Sequence, residues 1–174
     1  MAKPDRVYWD ACTWIAYINE ECETPKSSDT EEKENRYAMC RSVLERAQNG
    51  QVEIVTSAFA LAEVCKNEKA QNENLGKLQS FLDHEFILVV QLDKNIGIKA
   101  QQIQLSGLSG IKPPDAVHLA SAQLANVTEF HSFDDRLLKK DGQISADDGH
   151  IIKCCKPGEG DLKNTLFDPE NEDD

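Results

Sequence analysis

Apolar residues along the chain fall into short continuous runs separated by longer stretches of helical period, a pattern that predicts strands and helices in alternation. The first run, Val7-Tyr8-Trp9, ends in Asp10 like a buried strand handing over to a helix, and residues 12–19 are apolar enough to form that helix. Residues 36–48 carry Tyr37, Cys40, Val43, Leu44 and Ala47, an amphipathic helix stopped by Asn49-Gly50. A second strand is predicted at Val52–Thr56, with Ser57 as the N-cap of a helix through Ala70. Another helix covers 73–83, and Phe86–Val90 reads as the clearest buried strand. Asp93 is placed to cap a helix with the stripe Ile96, Ala100, Ile103 and Leu105, ended by the Gly107–Gly110 stretch. Pro113-Pro114 opens a helix from Asp115 to Ala125, since proline is tolerated in a first turn. A strand at 127–132, a short helix at 134–140 and a last strand at 150–153 complete the series. Such alternation implies an α/β fold with parallel pairing and helices on both faces. Functional residues in these sheets gather at the carboxyl ends of the strands.

With 174 residues the chain suits one domain, and its apolar share supports a sizeable core. No run approaches the ~18 consecutive apolar residues of a membrane span. The stretch MAKPDRVYWDAC carries no apolar signal region, so a cytoplasmic protein is expected. Six cysteines, at 12, 22, 40, 65, 154 and 155, include no C-x-x-C pair, and the vicinal Cys154-Cys155 is awkward for a disulfide. They read as reduced and mostly buried thiols. Neither a G-x-x-x-x-G-K loop nor a G-x-G-x-x-G turn is present, which argues against the nucleotide-binding folds built on them.

Four acids stand out by position. Asp10 ends the first strand, Asp115 begins the helix after the prolines, Asp134 follows Ser132-Phe133, and Glu63 lies among Ala60, Leu61, Ala62 and Val64. If the four converge, their repulsion calls for a counter-charge, and a hard cation with oxygen ligands, Mg²⁺ or Mn²⁺, suits carboxylates better than zinc does. An aspartate at a helix start also serves as an N-cap, which is the simpler account of Asp10, Asp115 or Asp134 taken singly. No cap is open to Glu63, whose alternative is an exposed helix face.

The segments VYWDACTWIAYI, TSAFALAEV, KPPDAVHLASA and HSFDDRLLK resemble the four signature segments of the PIN domain, in the order and spacing of VapC-type toxins. VVQLDKNIGIKAQQIQ is similar to the third strand and following helix of that family, and the likeness covers residues 5–155. The resemblance implies a three-layer α/β/α sandwich with a central, mostly parallel sheet, a divalent-metal site and ribonuclease activity. It implies Asp10, Glu63, Asp115 and Asp134 as the catalytic, metal-holding acids, with Ser132 orienting one carboxylate or a water. It also implies a homodimer and a protein antitoxin laid across the site. One departure is Cys12, where the family has Ser or Asn; Thr13 is the possible substitute. On this reading residues 1–156 form the PIN-like nuclease domain, with an acidic insertion at 19–35, and 157–174 form a flexible acidic tail.

The chemistry of such a site is hydrolysis of an RNA phosphodiester by an activated water, leaving a 5′-phosphate and a 3′-hydroxyl. Arg136, Lys139 and Lys140 form a basic cluster beside Asp134 that could contact RNA phosphates or equally be a solvated helix face. His118 is expected to pack or hydrogen-bond near the site and His131 to be a satisfied core residue, with Trp9 and Trp14 also in the core. Two further classes stay open: a PIN nuclease of RNA processing without an antitoxin, and a binding scaffold with a weakened site. A dehalogenase-like phosphatase needs D-x-D, and Asp10-Ala11-Cys12 fails that test.

A net charge of −12 at first opposes a nucleic-acid substrate. However, −5 of it belongs to residues 19–35 and −6 to 157–174, leaving −1 on the rest of the chain. The acidity belongs to appendages rather than to the body that carries the motifs.

Overall fold

The computed structural model describes residues 4–20, 34–64 and 75–160. Most of the acidic insertion (21–33), residues 65–70 of the expected long helix, residues 73–74, Cys22, Cys65 and the tail from 161 onward lie outside the described residues.

The elements run β1 (Asp5–Trp9), α1 (Ala11–Ile18), α2 (Arg36–Gln48), β2 (Val52–Ser57), α3 (Phe59–Val64), α4 (Leu75–Leu82), β3 (Ile87–Val90), α5 (Lys94–Leu105), α6 (Pro113–Leu124), β4 (Glu129–His131), α7 (Asp135–Leu138), β5 (Ile144–Ser145) and β6 (Ile151–Cys155). Six strands form one sheet in the order β3-β2-β1-β4-β6-β5. All neighbours pair in parallel except β5, which runs antiparallel to β6. The fold is thus the expected three-layer α/β/α arrangement. The short edge strand β5 was not expected, because two residues carry no readable period.

The period-2 alternation of a strand divides the core between the two faces. In β1, Tyr8 faces a cluster with Val55, Ile96, Ala100, Ile103, Leu119 and Phe130, covered by α5 and α6. Val7 and Trp9 face the opposite cluster with Trp14, Cys40, Val43, Leu44 and Leu78, covered by α1, α2 and α4. Trp9 and Trp14 are fully buried and meet edge to face, with centroids 4.7 Å apart, so both are core residues as expected.

Local chemistry explains several element ends. Asn35 accepts from the Ala38 N–H at the start of α2 (2.9 Å), and Asp93 from the Ile96 N–H at the start of α5 (3.0 Å). Ser57 closes β2 and its Oγ accepts from the Phe59 N–H at 3.2 Å, leading into α3. Leu105 does not join the apolar stripe of α5; it is 79% exposed. Two positions beyond Ile103 is about 200° around a helix, so its side chain leaves the core face.

The crossover order places the carboxyl ends of β1, β2 and β4 side by side at the middle of the sheet. Asp10, Glu63 and Asp134 follow those three strands directly or within a short helix.

Candidate metal centre

Asp10 is the N-cap of α1 and is buried. Its Oδ1 accepts from the Thr13 backbone N–H and lies the same 2.9 Å from the Thr13 hydroxyl. Its Oδ2 accepts from the Ser132 hydroxyl at 2.6 Å. The Thr13 hydroxyl also lies 3.1 Å from the His131 carbonyl, so its one hydrogen is shared between α1 and β4.

Cys12 completes this group. Its thiol lies 3.0 and 3.2 Å from the two Asp10 oxygens and 3.3 Å from the Ser132 Oγ, and its sulfur accepts from the Phe133 N–H. Burial, together with the neighbouring Asp10 charge, pushes the Cys12 thiol well above its usual range. It therefore stays protonated and donates to Asp10, as a serine at the same place would. Thr13 is an additional donor rather than a replacement.

Ser132 joins two of the acids. While donating to Asp10, it accepts from the Asp134 backbone N–H at 3.0 Å. Replacing Ser132 with Ala is expected to leave that N–H and one Asp10 lone pair without their partner in a buried place. The expected loss is about 1–3 kcal/mol, read as a lowered denaturant midpoint with an unchanged slope. An unaltered midpoint would show that neither hydrogen bond matters to the fold.

Asp134 caps α7 and is gripped by Arg136: the Arg136 backbone N–H (2.9 Å), Nε (3.1 Å) and Nη2 all reach its carboxylate. The guanidinium hydrogen bonds hold the Asp134 carboxyl below its ordinary range, against the opposing pull of partial burial. Arg136 Nη1 also lies 3.9 Å from Asp115 Oδ2. Arg136 is thus engaged by two of the four acids, with its side chain still 42% exposed. Lys139 is exposed and Lys140 half-buried on the turn after α7.

Asp115 stands in the first turn of α6, where its Oδ2 accepts from the Lys112 N–H at 3.0 Å. One turn on, His118 reaches back to Glu63: Nε2 and Oε2 are 2.5 Å apart. The other ring nitrogen, Nδ1, meets the Tyr8 hydroxyl at 2.8 Å. Burial raises the Tyr8 pKa well above the usual phenol range, so the phenol keeps its proton. The imidazole is held from both sides, by the Tyr8 hydroxyl at Nδ1 and by Glu63 at Nε2. His118 was expected near the site; its role in fixing Glu63 and the part of Tyr8 were not legible. The available signal was spacing, since His118 is three residues after Asp115 and shares its side of the helix.

Hydrogen bonds and ion pairs therefore link Asp10 to Asp134 through Ser132, and Asp134 to Asp115 through Arg136. Glu63 is tied to the same helix as Asp115 through His118. No three of these acids bring ligating oxygens within 4.8 Å of one another; among the described residues that spacing occurs at Glu129, His131 and Cys155. The donor set at the carboxyl edge nonetheless suits a hard divalent cation: four carboxylates, two hydroxyls, and one oxygen each of Glu63 and Asp115 without a hydrogen-bond partner among the described residues.

A PIN domain family model matches residues 7–143. The chain belongs to the PIN domain family, whose members are generally metal-dependent nucleases. No curated protein matches it. Among the described residues, no helix is long and apolar enough to cross a membrane.

Proposed function

We propose that this protein is a divalent-metal-dependent endoribonuclease and acts as the toxin of a toxin–antitoxin pair. The observation that carries the nuclease reading is the placement of Asp10, Glu63, Asp115 and Asp134 of a PIN domain around one edge of the sheet, with each carboxylate oriented by a protein donor. The toxin assignment rests on the four signature segments and their VapC-like order.

In this reading the four acids hold Mg²⁺ or Mn²⁺. The cation supplies charge neutralisation at the scissile phosphate and makes water a stronger acid. The chain's own residues preorganise the site. Thr13, Ser132 and Cys12 fix Asp10, His118 backed by Tyr8 fixes Glu63, and Arg136 fixes Asp134. Arg136 also offers positive charge at the place a phosphate approaches, with Lys139 and Lys140 on the following turn. Because Cys12 donates to Asp10, the departure from Ser or Asn removes no hydrogen bond from that acid, which disfavours the decayed-scaffold reading.

Two measurements test the proposal. Millimolar Mg²⁺ or Mn²⁺ is expected to raise the melting temperature of wild-type protein by several degrees, by up to about 2.7 kcal/mol at a hundredfold excess over Kd. The rise is expected to vanish in the Asp10→Asn/Asp115→Asn double variant, and an indifferent wild type would count against the site. RNA cleaved on expression of wild-type but not Asp115→Asn protein is expected to show defined cut positions. A small antitoxin gene is expected just upstream, and co-expressing it is expected to relieve the growth arrest that the wild type causes. Arrest without cleaved RNA would reject the endoribonuclease reading.

A further inference from the structure

We infer that Glu129, His131 and Cys155 form a second metal site, distinct from the acidic edge and selective for a borderline first-row ion such as Zn²⁺. The three residues lie on adjacent parallel strands and on one face of the sheet. His131 stands in register with Cys155, and Glu129 is two positions before His131. All three are buried, at 4%, 1% and 8% exposure. Each offers a ligand atom, and these atoms lie within 4.8 Å of one another.

The geometry is close to what such an ion needs. Bonds of about 2.0–2.3 Å to N, O and S place the ligand atoms of a tetrahedral zinc centre roughly 3.3–3.6 Å apart. Here His131 Nε2 is 2.8 Å from Glu129 Oε2, and Cys155 Sγ is 4.0 Å from the same oxygen, values that bracket that range. The donor set of one imidazole, one thiol and one carboxylate favours a borderline ion over Mg²⁺ or Ca²⁺. A thiolate and a carboxylate together balance the charge of a divalent cation, which removes the cost of leaving it unpaired in a buried place.

Among the described residues, His131 hydrogen-bonds through Nε2, and its buried Nδ1 has no partner. The ring is held by Glu129, beside the Cys155 thiol. Ion binding would release that thiol proton to solvent and leave a thiolate ligand. Gly160 closes the cluster from outside: a Cβ there would lie 2.0 Å from Glu129 Oε1, so the chain after β6 packs its backbone against the carboxylate. An ion at this place would pin β4 to β6 directly before Ser132, whose own N–H already bonds the Cys155 carbonyl. It would thereby stiffen the strand end that carries Ser132 and Asp134.

The test is a Co²⁺ titration of the full chain after chelator treatment, followed by absorption. Wild type is expected to show a thiolate-to-Co²⁺ charge-transfer band that saturates at one equivalent. The band is expected to persist in Asp115→Asn and in Cys12→Ser, which separates it from the acidic edge. It is expected to disappear in Cys155→Ser. Glu129→Gln, which keeps the side-chain size, is expected to weaken Co²⁺ at least tenfold and decides the matter if Cys155→Ser does not fold. A wild type without the band would overturn the site, as would a band that survives Cys155→Ser or Co²⁺ affinity unchanged in Glu129→Gln.

Discussion

Asp115→Asn is expected to lower phosphodiester cleavage by roughly 10³-fold while the protein stays folded, several kcal/mol of transition-state stabilisation being what a catalytic cation supplies. Asparagine matches aspartate in size and can still accept from the Lys112 N–H, so the turn that opens α6 survives. What it loses is the charge. The negative end at the start of α6 goes, worth about 0.3–1 kcal/mol in stability, and so does one of the two carboxylates around Arg136. A melting temperature within a few degrees of wild type, with cleavage abolished, would place the effect in the chemistry. Asp10→Asn is expected to act alike on cleavage, with a larger stability cost, because Asp10 is buried and receives hydrogen bonds from α1 and from Ser132. Wild-type cleavage by either variant, once contaminating nuclease is excluded, would refute the assignment of these acids.

Phe130→Ala is expected to be the most damaging single change to stability among those considered, about 3–5 kcal/mol. Phe130 is fully buried on the central strand β4 and stacks on Tyr8 of β1, with centroids 5.1 Å apart and planes 10° from parallel. For a chain of this size that loss corresponds to a fall of roughly 6–20 °C in melting temperature, against a total stability of about 5–15 kcal/mol. The cavity has a second consequence. Tyr8 carries the hydroxyl that holds His118, and His118 holds Glu63. Activity measured well below the melting transition is therefore expected to fall as well, whereas Phe130→Leu, which fills more of the space, is expected to recover part of both. Destabilisation under 1 kcal/mol would mean that the sheet collapses around the missing ring.

The two results depend on different kinds of information. Strand and helix alternation, and hence the layered α/β fold, follows from local periodicity: Val7–Trp9 and the Ile87–Val90 run are apolar over strand length, and the caps at Asp93 and Asp134 announce helix starts. Asp10, Asp115 and Asp134 recur at those junctions, Glu63 lies within a helix, and the segments around all four carry a family pattern. Local information fails wherever the deciding partner is far along the chain. The strand β5 escaped notice because two residues are held by β6 alone, whereas Leu105 left its stripe for a local reason, the roughly 200° of helix between it and Ile103.

The charge of the chain shows the same division. Its sequence alone determined that the acidity lies outside the motif-bearing body, since charge is counted residue by residue. Only the tertiary structure decided what each charge meets: Arg136 lies against Asp134 and Asp115, and His118 against Glu63 across 55 positions. It likewise brought Glu129 and His131 to Cys155 across β4 and β6. Hydrogen bonds and ligand spheres act over about 3 Å, and sequence distance does not encode which side chains a crossover topology brings that close.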